Sequence, residues 1–257
     1  MAHLVVDYHA ASLGMEARMH VLLPGCRAAG QAKTLYLLHG MSDNEGAWMQ
    51  RTSIERYAAA KGLAVVMPDG GLGWYTDMYR GLPWFTFISQ ELPALCRRFF
   101  PILSGRREDT FIGGASMGGY GALKCGLCAP HVFSKAVSLS GALDAVDIVQ
   151  NGAAMAAPGY WEDVFGPAEA VPGSGNDLFA AAGRLNDPAL RPEAYLWCGT
   201  EDFLYAQNVR MRDHLRALGY TLTYRESPGG HQWGYWDAEI AGALEWLVPG
   251  EEGDPWR

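Results

Sequence analysis

The chain has 257 residues, of which 49% are hydrophobic and 19% charged, so it can bury a large core and global disorder is excluded. It carries 20 Lys and Arg against 28 Asp and Glu, a net charge of −8, and has no long basic run, so nucleic acid is not an expected partner. No stretch reaches the ~18 consecutive apolar residues of a membrane span, and the start of the chain lacks a signal-peptide pattern. We therefore expect a cytoplasmic protein with no membrane partner.

Short β-rich runs alternate with helical segments along the chain, which predicts an α/β fold with a mostly parallel, eight-stranded sheet. The first two runs, joined by a turn near Gly14, predict an antiparallel hairpin. The predicted strands are Leu4–Tyr8, Glu16–Leu23, Thr34–Leu38, Leu63–Met67, Thr110–Ile112, Lys135–Leu139, Ala194–Cys198 and Thr221–Tyr224. The predicted helices are Thr52–Lys61, Phe85–Phe100, Ser116–Cys128, Phe203–Leu218 and Trp233–Leu247.

One long connection interrupts this alternation. Residues 141–192 are rich in Ala, Gly and Pro and contain scattered aromatic residues. Long connections inside compact domains are often lids or binding loops, so we expect a small lid-like insertion here.

Five cysteines, an odd number in a chain of this length, argue against a disulfide framework. Cys125 and Cys128 form a CxxC, but no second pair or His pair completes a zinc site. We interpret them as two small apolar residues one turn apart on a helix, and we predict no metal.

The most informative motif is a G-x-S-x-G sequence, Gly114–Gly118, with its serine at position 116. It lies between the predicted strand Thr110–Ile112 and a predicted helix, the arrangement that exposes a nucleophilic hydroxyl at the C-terminal edge of a parallel sheet. Glycine on both sides lets strand and helix approach closely. A simple helix N-cap is the alternative role for Ser116, although an N-cap does not need the two glycines.

A serine nucleophile needs a base and an orienting acid. His231 lies in a glycine-rich loop after the last predicted strand, and Asp202 follows the strand before it. The order Ser116, Asp202, His231 is that of α/β-hydrolases.

Two other residues compete for the roles of acid and base, and His231 also has an interpretation without a catalytic role. Glu201 is adjacent to Asp202, and the sequence alone does not separate the two carboxylates. His39 is a rival base, but it follows an early strand, which breaks the usual chain order, so we interpret it as structural. His231 could also be an ordinary turn histidine.

An oxyanion requires two converging N–H donors. The amide that follows the nucleophile and an amide in the loop after the first parallel strand supply such donors in α/β-hydrolases. We therefore predict that the backbone N–H groups of Met41 and Met117 form the oxyanion hole.

The chain resembles the tributyrin esterases of the esterase D group of α/β-hydrolases, which also includes S-formylglutathione hydrolases, feruloyl esterases and mycolyltransferases. The resemblance runs from the N-terminal hairpin to His231-Gln232-Trp233. It rests on Leu37-Leu38-His39-Gly40-Met41-Ser42, Arg51-Thr52-Ser53-Ile54-Glu55-Arg56-Tyr57, Gly114-Ala115-Ser116-Met117-Gly118-Gly119-Tyr120-Gly121-Ala122 and Ser138-Leu139-Ser140-Gly141. It implies one α/β-hydrolase domain over residues 1–257, with helices on both faces of the sheet.

The resemblance also implies a cofactor-free carboxylesterase acting on small-molecule esters with short acyl groups. It assigns the same five residues, namely Ser116, Asp202, His231, Met41 and Met117, and it is compatible with a homo-oligomer. The alternatives on this scaffold are a feruloyl or acetylated-saccharide esterase, an S-formylglutathione hydrolase or an acyltransferase. Tyr120 stands where S-formylglutathione hydrolases usually carry His, which disfavours the glutathione thioester.

Aromatic residues near the predicted site are candidates for substrate binding, although core packing is the default role of each. We predict that Trp48, Trp74 and Trp233 contact the substrate.

Overall fold

A computed structural model describes residues 1–25, 28–152 and 156–250, and its eight strands form one mixed sheet in the order β1-β2-β4-β3-β5-β6-β7-β8. The antiparallel hairpin β1–β2 joins β4 antiparallel, and the remaining neighbours pair parallel. This confirms the predicted fold class. The strands are β1 Ala2–Ala10, β2 Met15–Leu23, β3 Thr34–Leu38, β4 Ala64–Pro68, β5 Thr110–Ala115, β6 Lys135–Leu139, β7 Glu193–Gly199 and β8 Leu222–Ser227.

The central strands β3, β4 and β5 are buried along their whole length, as expected for apolar strands that are covered on both faces. Successive side chains of a strand point to opposite faces. In β3, Tyr36 and Leu38 therefore join the core on one face of the sheet, while Leu35 and Leu37 join the core on the other.

Helices cover both faces of the sheet. Helices α5 and α9 contribute Leu123 and Met211 to the first core, and α2 and α10 contribute Ala58 and Ile240 to the second. The helices are α1 Ala47–Arg51, α2 Ile54–Lys61, α3 Trp84–Thr86, α4 Leu92–Phe99, α5 Met117–Cys128, α6 Ala145–Asn151, α7 Tyr160–Phe165, α8 Leu178–Arg184, α9 Tyr205–Ala217 and α10 Trp233–Leu247.

The predicted helix Thr52–Lys61 begins later in the structure, at Ile54, and a separate short helix ends at Arg51. Thr52 between them has extended backbone angles, φ −137° and ψ 170°. Its hydroxyl donates to the Trp48 carbonyl and accepts from the Ile54 amide. Threonine often competes with the helix backbone for hydrogen bonds in this way, which explains the break.

The predicted helix Phe85–Phe100 contains a π-helical turn, Phe87–Glu91, between α3 and α4. Pro93 at the start of α4 has no N–H to donate, and its ring crowds the preceding turn. We attribute the wider turn to this proline, since π turns occur where the regular helical ladder is interrupted.

The insertion at residues 141–192 folds into helices α6, α7 and α8, and its residues 153–155 lie outside the described ranges. Asp144 and Asp177 cap α6 and α8 by accepting hydrogen bonds from the amides of Asp147 and Ala180. Over the described ranges, every helix is too short or too polar to cross a bilayer.

Candidate active site

The turn between β5 and α5 holds Ser116 in a strained backbone conformation, with φ at +56°. Positive φ is costly for a residue with a side chain and persists only where the surroundings enforce it. A Cβ on Gly118 would overlap the carbonyl oxygens of Leu38 and His39, and one on Gly114 would overlap the Gly118 backbone. The motif glycines thus allow β3, β5 and α5 to approach closely enough to form the turn.

Two loops at the same edge of the sheet carry Asp202 and His231. The loop after β7 contains Asp202, and the loop after β8 contains His231. A Cβ on Gly199 would overlap the carbonyl group of Gly229, so glycine at position 199 is what lets the two loops touch. The Glu201 amide also donates to the Gly229 carbonyl at 3.0 Å and ties the loops together.

The structure brings Ser116, His231 and Asp202 into one hydrogen-bonded chain. Nδ1 of His231 lies 2.9 and 3.1 Å from the two Asp202 carboxylate oxygens, and Nε2 lies 2.9 Å from the Ser116 hydroxyl oxygen. Because a carboxylate only accepts hydrogen bonds, Nδ1 carries the proton and Nε2 is free to accept the serine proton. This is the tautomer that a histidine needs in order to act as a base towards Ser116.

The environment of Asp202 favours its charged form. Burial of the side chain opposes ionisation, but hydrogen bonds from His231 and from the Leu204 amide outweigh it and hold the pKa of Asp202 below its usual value. The carboxylate is therefore available at neutral pH to orient the imidazole and to stabilise its protonated form.

Neither rival residue lies in this chain of hydrogen bonds. Glu201 is exposed, and the buried Asp202 makes the contact with His231. His39 is buried, and its Nε2 accepts from the Gly70 amide at 2.9 Å instead of facing Ser116.

Two backbone N–H groups next to Ser116 have no hydrogen-bond partner among the described residues. Met117 begins α5, so its N–H has no helical acceptor, and Met41 donates no hydrogen bond within the described residues. Met41 and Ser116 line the same cavity. The arrangement leaves both amides available to an oxygen atom bound beside Ser116.

A cavity of about 350 Å³ opens onto Ser116 and His231. Its apolar wall includes Met41, Trp74, Ile148 and Leu204, and its polar wall includes Asp147, Asn151 and Gln207. Helix α6 of the insertion thus contributes to both walls. Such a cavity fits a small, mostly apolar ligand with a few polar groups.

The three predicted tryptophans have different surroundings. Trp74 lines the cavity. Trp48 is fully buried, where its indole N–H donates to the Leu38 carbonyl at 2.9 Å, and its ring meets Trp233 edge to face with centroids 5.0 Å apart. The structure therefore brings Trp74, but not Trp48 or Trp233, to the cavity wall.

Sequence reasoning counted Trp236 among the aromatic residues near the site but missed Phe203 and Gln207. Phe203 and Trp236 flank the His231 ring, with centroids 4.7 and 4.9 Å away, and thereby hold the imidazole in place. Gln207 follows Leu204 by three positions and precedes Met211 by four, so it lies on the apolar face of α9. A polar residue on an apolar helix face is a signal that could have identified it.

Cysteines and other potential metal ligands add no second site in the described parts of the chain. Cys125 and Cys128 are free thiols on α5, and no group of three His, Cys, Asp or Glu side chains is arranged to hold a metal there.

Comparisons with known proteins give a consistent picture. The sequence family described as "Putative esterase" matches residues 10–247. An acetyl esterase of Caldicellulosiruptor saccharolyticus is 36% identical over 221 residues, covering 84% of this chain and 83% of that protein. The substrate-bound fluorophosphonate-binding serine hydrolase F of Staphylococcus aureus has a TM-score of 0.88 at 33% identity, over 96% of this chain and 98% of that one. An S-formylglutathione hydrolase of the same organism has a TM-score of 0.86 at 33% identity, with the same coverage.

Proposed function

The chain belongs to the putative esterase family, and from this premise we propose that it is a serine carboxylesterase that cleaves short-chain acyl esters through an acyl-enzyme on Ser116. The observation that carries the proposal is the hydrogen-bonded chain Ser116–His231–Asp202 at the mouth of a cavity.

In the first half of the reaction, the Ser116 oxygen attacks the ester carbonyl carbon while Nε2 of His231 takes the hydroxyl proton. The carbonyl oxygen becomes an oxyanion, which the N–H groups of Met41 and Met117 stabilise. When the tetrahedral intermediate collapses, its bond to the alcohol oxygen breaks and His231 returns the proton to the departing alcohol. Ser116 is then acylated.

In the second half, a water molecule replaces the alcohol. His231 takes a proton from the water, whose oxygen attacks the acyl carbon and forms a second oxyanion at the same two amides. Collapse of this intermediate releases the carboxylic acid and returns the proton to Ser116. Asp202 stays ionised throughout and stabilises the imidazolium.

The size of the cavity supports a small substrate. Ligand cavities in proteins span ~300–1,000 Å³, and the cavity here, at about 350 Å³, is at the lower end. Its apolar wall suits an acetyl to butyryl chain. The similarity to an acetyl esterase supports the short end of this range.

The test is hydrolysis of p-nitrophenyl acetate and butyrate by the wild type, by Ser116→Ala and by Ser134→Ala. Ser134 is a suitable control because it lies at the opposite end of the sheet, where its hydroxyl contacts the Thr110 carbonyl. We expect Ser116→Ala to lose activity by about 10⁴-fold or more and to lose labelling by a fluorophosphonate probe, while Ser134→Ala retains both. Equal rates for wild type and Ser116→Ala would refute the proposal.

S-formylglutathione is a second candidate substrate, which the similar S-formylglutathione hydrolase of Staphylococcus aureus favours. The carboxylate of Asp147 on the cavity wall argues against it, because glutathione itself carries two carboxylates. Comparison of kcat/KM for S-formylglutathione and p-nitrophenyl acetate separates the two. Our proposal predicts the larger value for the acetate.

A further inference from the structure

Gln207 is a buried amide on the wall of the catalytic cavity, and it is only half satisfied. Its side-chain oxygen accepts from the Asp144 backbone amide at 3.2 Å, which fixes the orientation of the group, since a backbone N–H can only donate. The Nε2 end has no acceptor among the described residues. Because Gln207 is only 7% exposed and lines the cavity, a ligand there can supply the missing acceptor.

Helix α6 presents acceptors to the same cavity. Asn151 and Asp147 lie one turn apart, and the Asn151 amide donates to one Asp147 carboxylate oxygen at 2.8 Å. Within the parts of the chain that the structure describes, the other carboxylate oxygen of Asp147 and the amide oxygen of Asn151 accept no hydrogen bond. Among the described residues, the cavity lining includes no Lys or Arg.

We propose that Gln207 is a specificity-determining residue that selects esters with a neutral hydroxyl group in the part that fills the cavity. A hydroxyl oxygen accepts from Nε2 of Gln207, and its hydrogen donates to Asp147 or Asn151. An alkyl group at that place would leave the buried amide unpaired, and a carboxylate would meet the charge of Asp147. The inference rests on the proposed esterase function, and it names the substrate class of the same site.

The experiment compares ester pairs in which a hydroxyl replaces a methyl group. In the acyl arm, p-nitrophenyl 3-hydroxybutyrate is compared with p-nitrophenyl 3-methylbutyrate. In the alcohol arm, 2-hydroxyethyl butyrate is compared with propyl butyrate. The two arms report which half of the ester occupies the cavity. The measured quantity is the ratio of kcat/KM for the hydroxylated ester to kcat/KM for its partner.

The variant Gln207→Met removes the amide at nearly constant side-chain length. The control Arg210→Met removes the ion pair between Arg210 and Asp144, at 2.7 Å, and so weakens the same contact between α6 and α9 without changing the cavity lining. A purely structural role of Gln207 would change both esters of a pair equally and leave the ratio alone.

We expect the wild type to prefer the hydroxylated ester in at least one arm. In that arm, Gln207→Met should lower the ratio by about five- to tenfold, the effect of one hydrogen bond, while Arg210→Met stays within twofold of wild type. If the wild type shows no preference for the hydroxylated ester in either arm, the inference is overturned without any measurement on the variants. An equal fall in the ratio for both variants also overturns it. If the wild type hydrolyses none of the esters, including p-nitrophenyl acetate, the proposed function itself fails.

Discussion

Nδ1 of His39 donates a hydrogen bond to the carbonyl oxygen of Gly40 at 2.8 Å. That carbonyl and the Met41 N–H belong to one planar peptide unit and point in opposite directions, so the bond fixes where the Met41 N–H points. On the other side of the ring, Nε2 accepts from the Gly70 amide, and the Tyr75 hydroxyl donates to the carbonyl of His39. His39 is therefore built into the loop that carries one of the proposed oxyanion donors.

Replacing His39 by Phe should lower kcat on p-nitrophenyl acetate by about 10- to 100-fold with a small change in KM. The Phe side chain fills the buried space but cannot hold the Gly40 carbonyl, and loss of one oxyanion donor costs ~10²–10³ in kcat. The measurement is steady-state kinetics together with a thermal melt. A variant of lower melting temperature and unchanged kcat would show that His39 serves stability alone.

The adjacent acidic residues provide a matched pair of variants. Asp202→Asn should reduce kcat by about 10³–10⁴-fold, because the neutral amide no longer holds Nδ1 of His231 protonated. Glu201→Gln should stay within twofold of wild type, since Glu201 is exposed. Kinetics with p-nitrophenyl butyrate tests both. A large loss in Glu201→Gln would mean that the acid has been assigned to the wrong residue.

Acyl-chain selection should depend on Ile148, a buried residue on the apolar wall of the cavity. Ile148→Phe reduces the space for the acyl chain, so we expect kcat/KM to fall at least tenfold more for p-nitrophenyl butyrate than for the acetate. Val149→Phe is the control, because Val149 is the next residue of α6 and lies outside the cavity lining. Equal losses for both esters would contradict this assignment of the acyl site.

Lys124 should make stability depend on pH. Its amine is buried and donates to Thr76 and Asn176, and no carboxylate of the described residues accepts a hydrogen bond from it. Burial therefore lowers the pKa of Lys124 from 10.5 to about 8. Between these values the unfolded chain holds a proton that the folded chain has lost, and the free energy of unfolding therefore rises with pH. The rise attributable to Lys124 is up to about 3 kcal/mol.

Urea denaturation of the wild type and Lys124→Met at pH 7.5, 9 and 10.5 measures this contribution. The difference between the two proteins cancels the titration of groups that do not interact with Lys124, so the stability of the wild type relative to the variant should increase with pH. If the free energy of unfolding changes with pH by the same amount in the wild type and in Lys124→Met, Lys124 keeps its ordinary pKa.

The sequence was sufficient to predict the sheet, and the three residues that it selects as nucleophile, base and acid are brought together by hydrogen bonds in the structure. Positions 114 and 118 have room only for glycine, and Asp202 and His231 directly follow predicted strands, whose ends meet at one sheet edge. The break at Thr52 depends on the hydrogen bonds of one hydroxyl group, and the π turn at Phe87–Glu91 depends on the ring of Pro93. The spacing of apolar residues along the sequence does not reveal either feature.

The cavity wall was harder to predict from the sequence. Trp48 and Trp74 are both buried aromatic residues near the site, and only tertiary packing determines that Trp74 also reaches the cavity wall while Trp48 does not. The polar group Gln207 was overlooked because its helix was interpreted by its apolar face.

The three residues proposed to react and part of the cavity wall lie on different segments of the chain. Ser116, Asp202 and His231 are on turns of the sheet, whereas α6 belongs to the insertion, which Arg210 holds through Asp144 and Lys124 holds through Asn176. Exchange of this segment between homologous enzymes, with Asp144 and Asn176 kept, should change the share of ligand preference that α6 determines, while Gln207 on α9 and the chemical step stay the same. Evolution has the same route to new specificities.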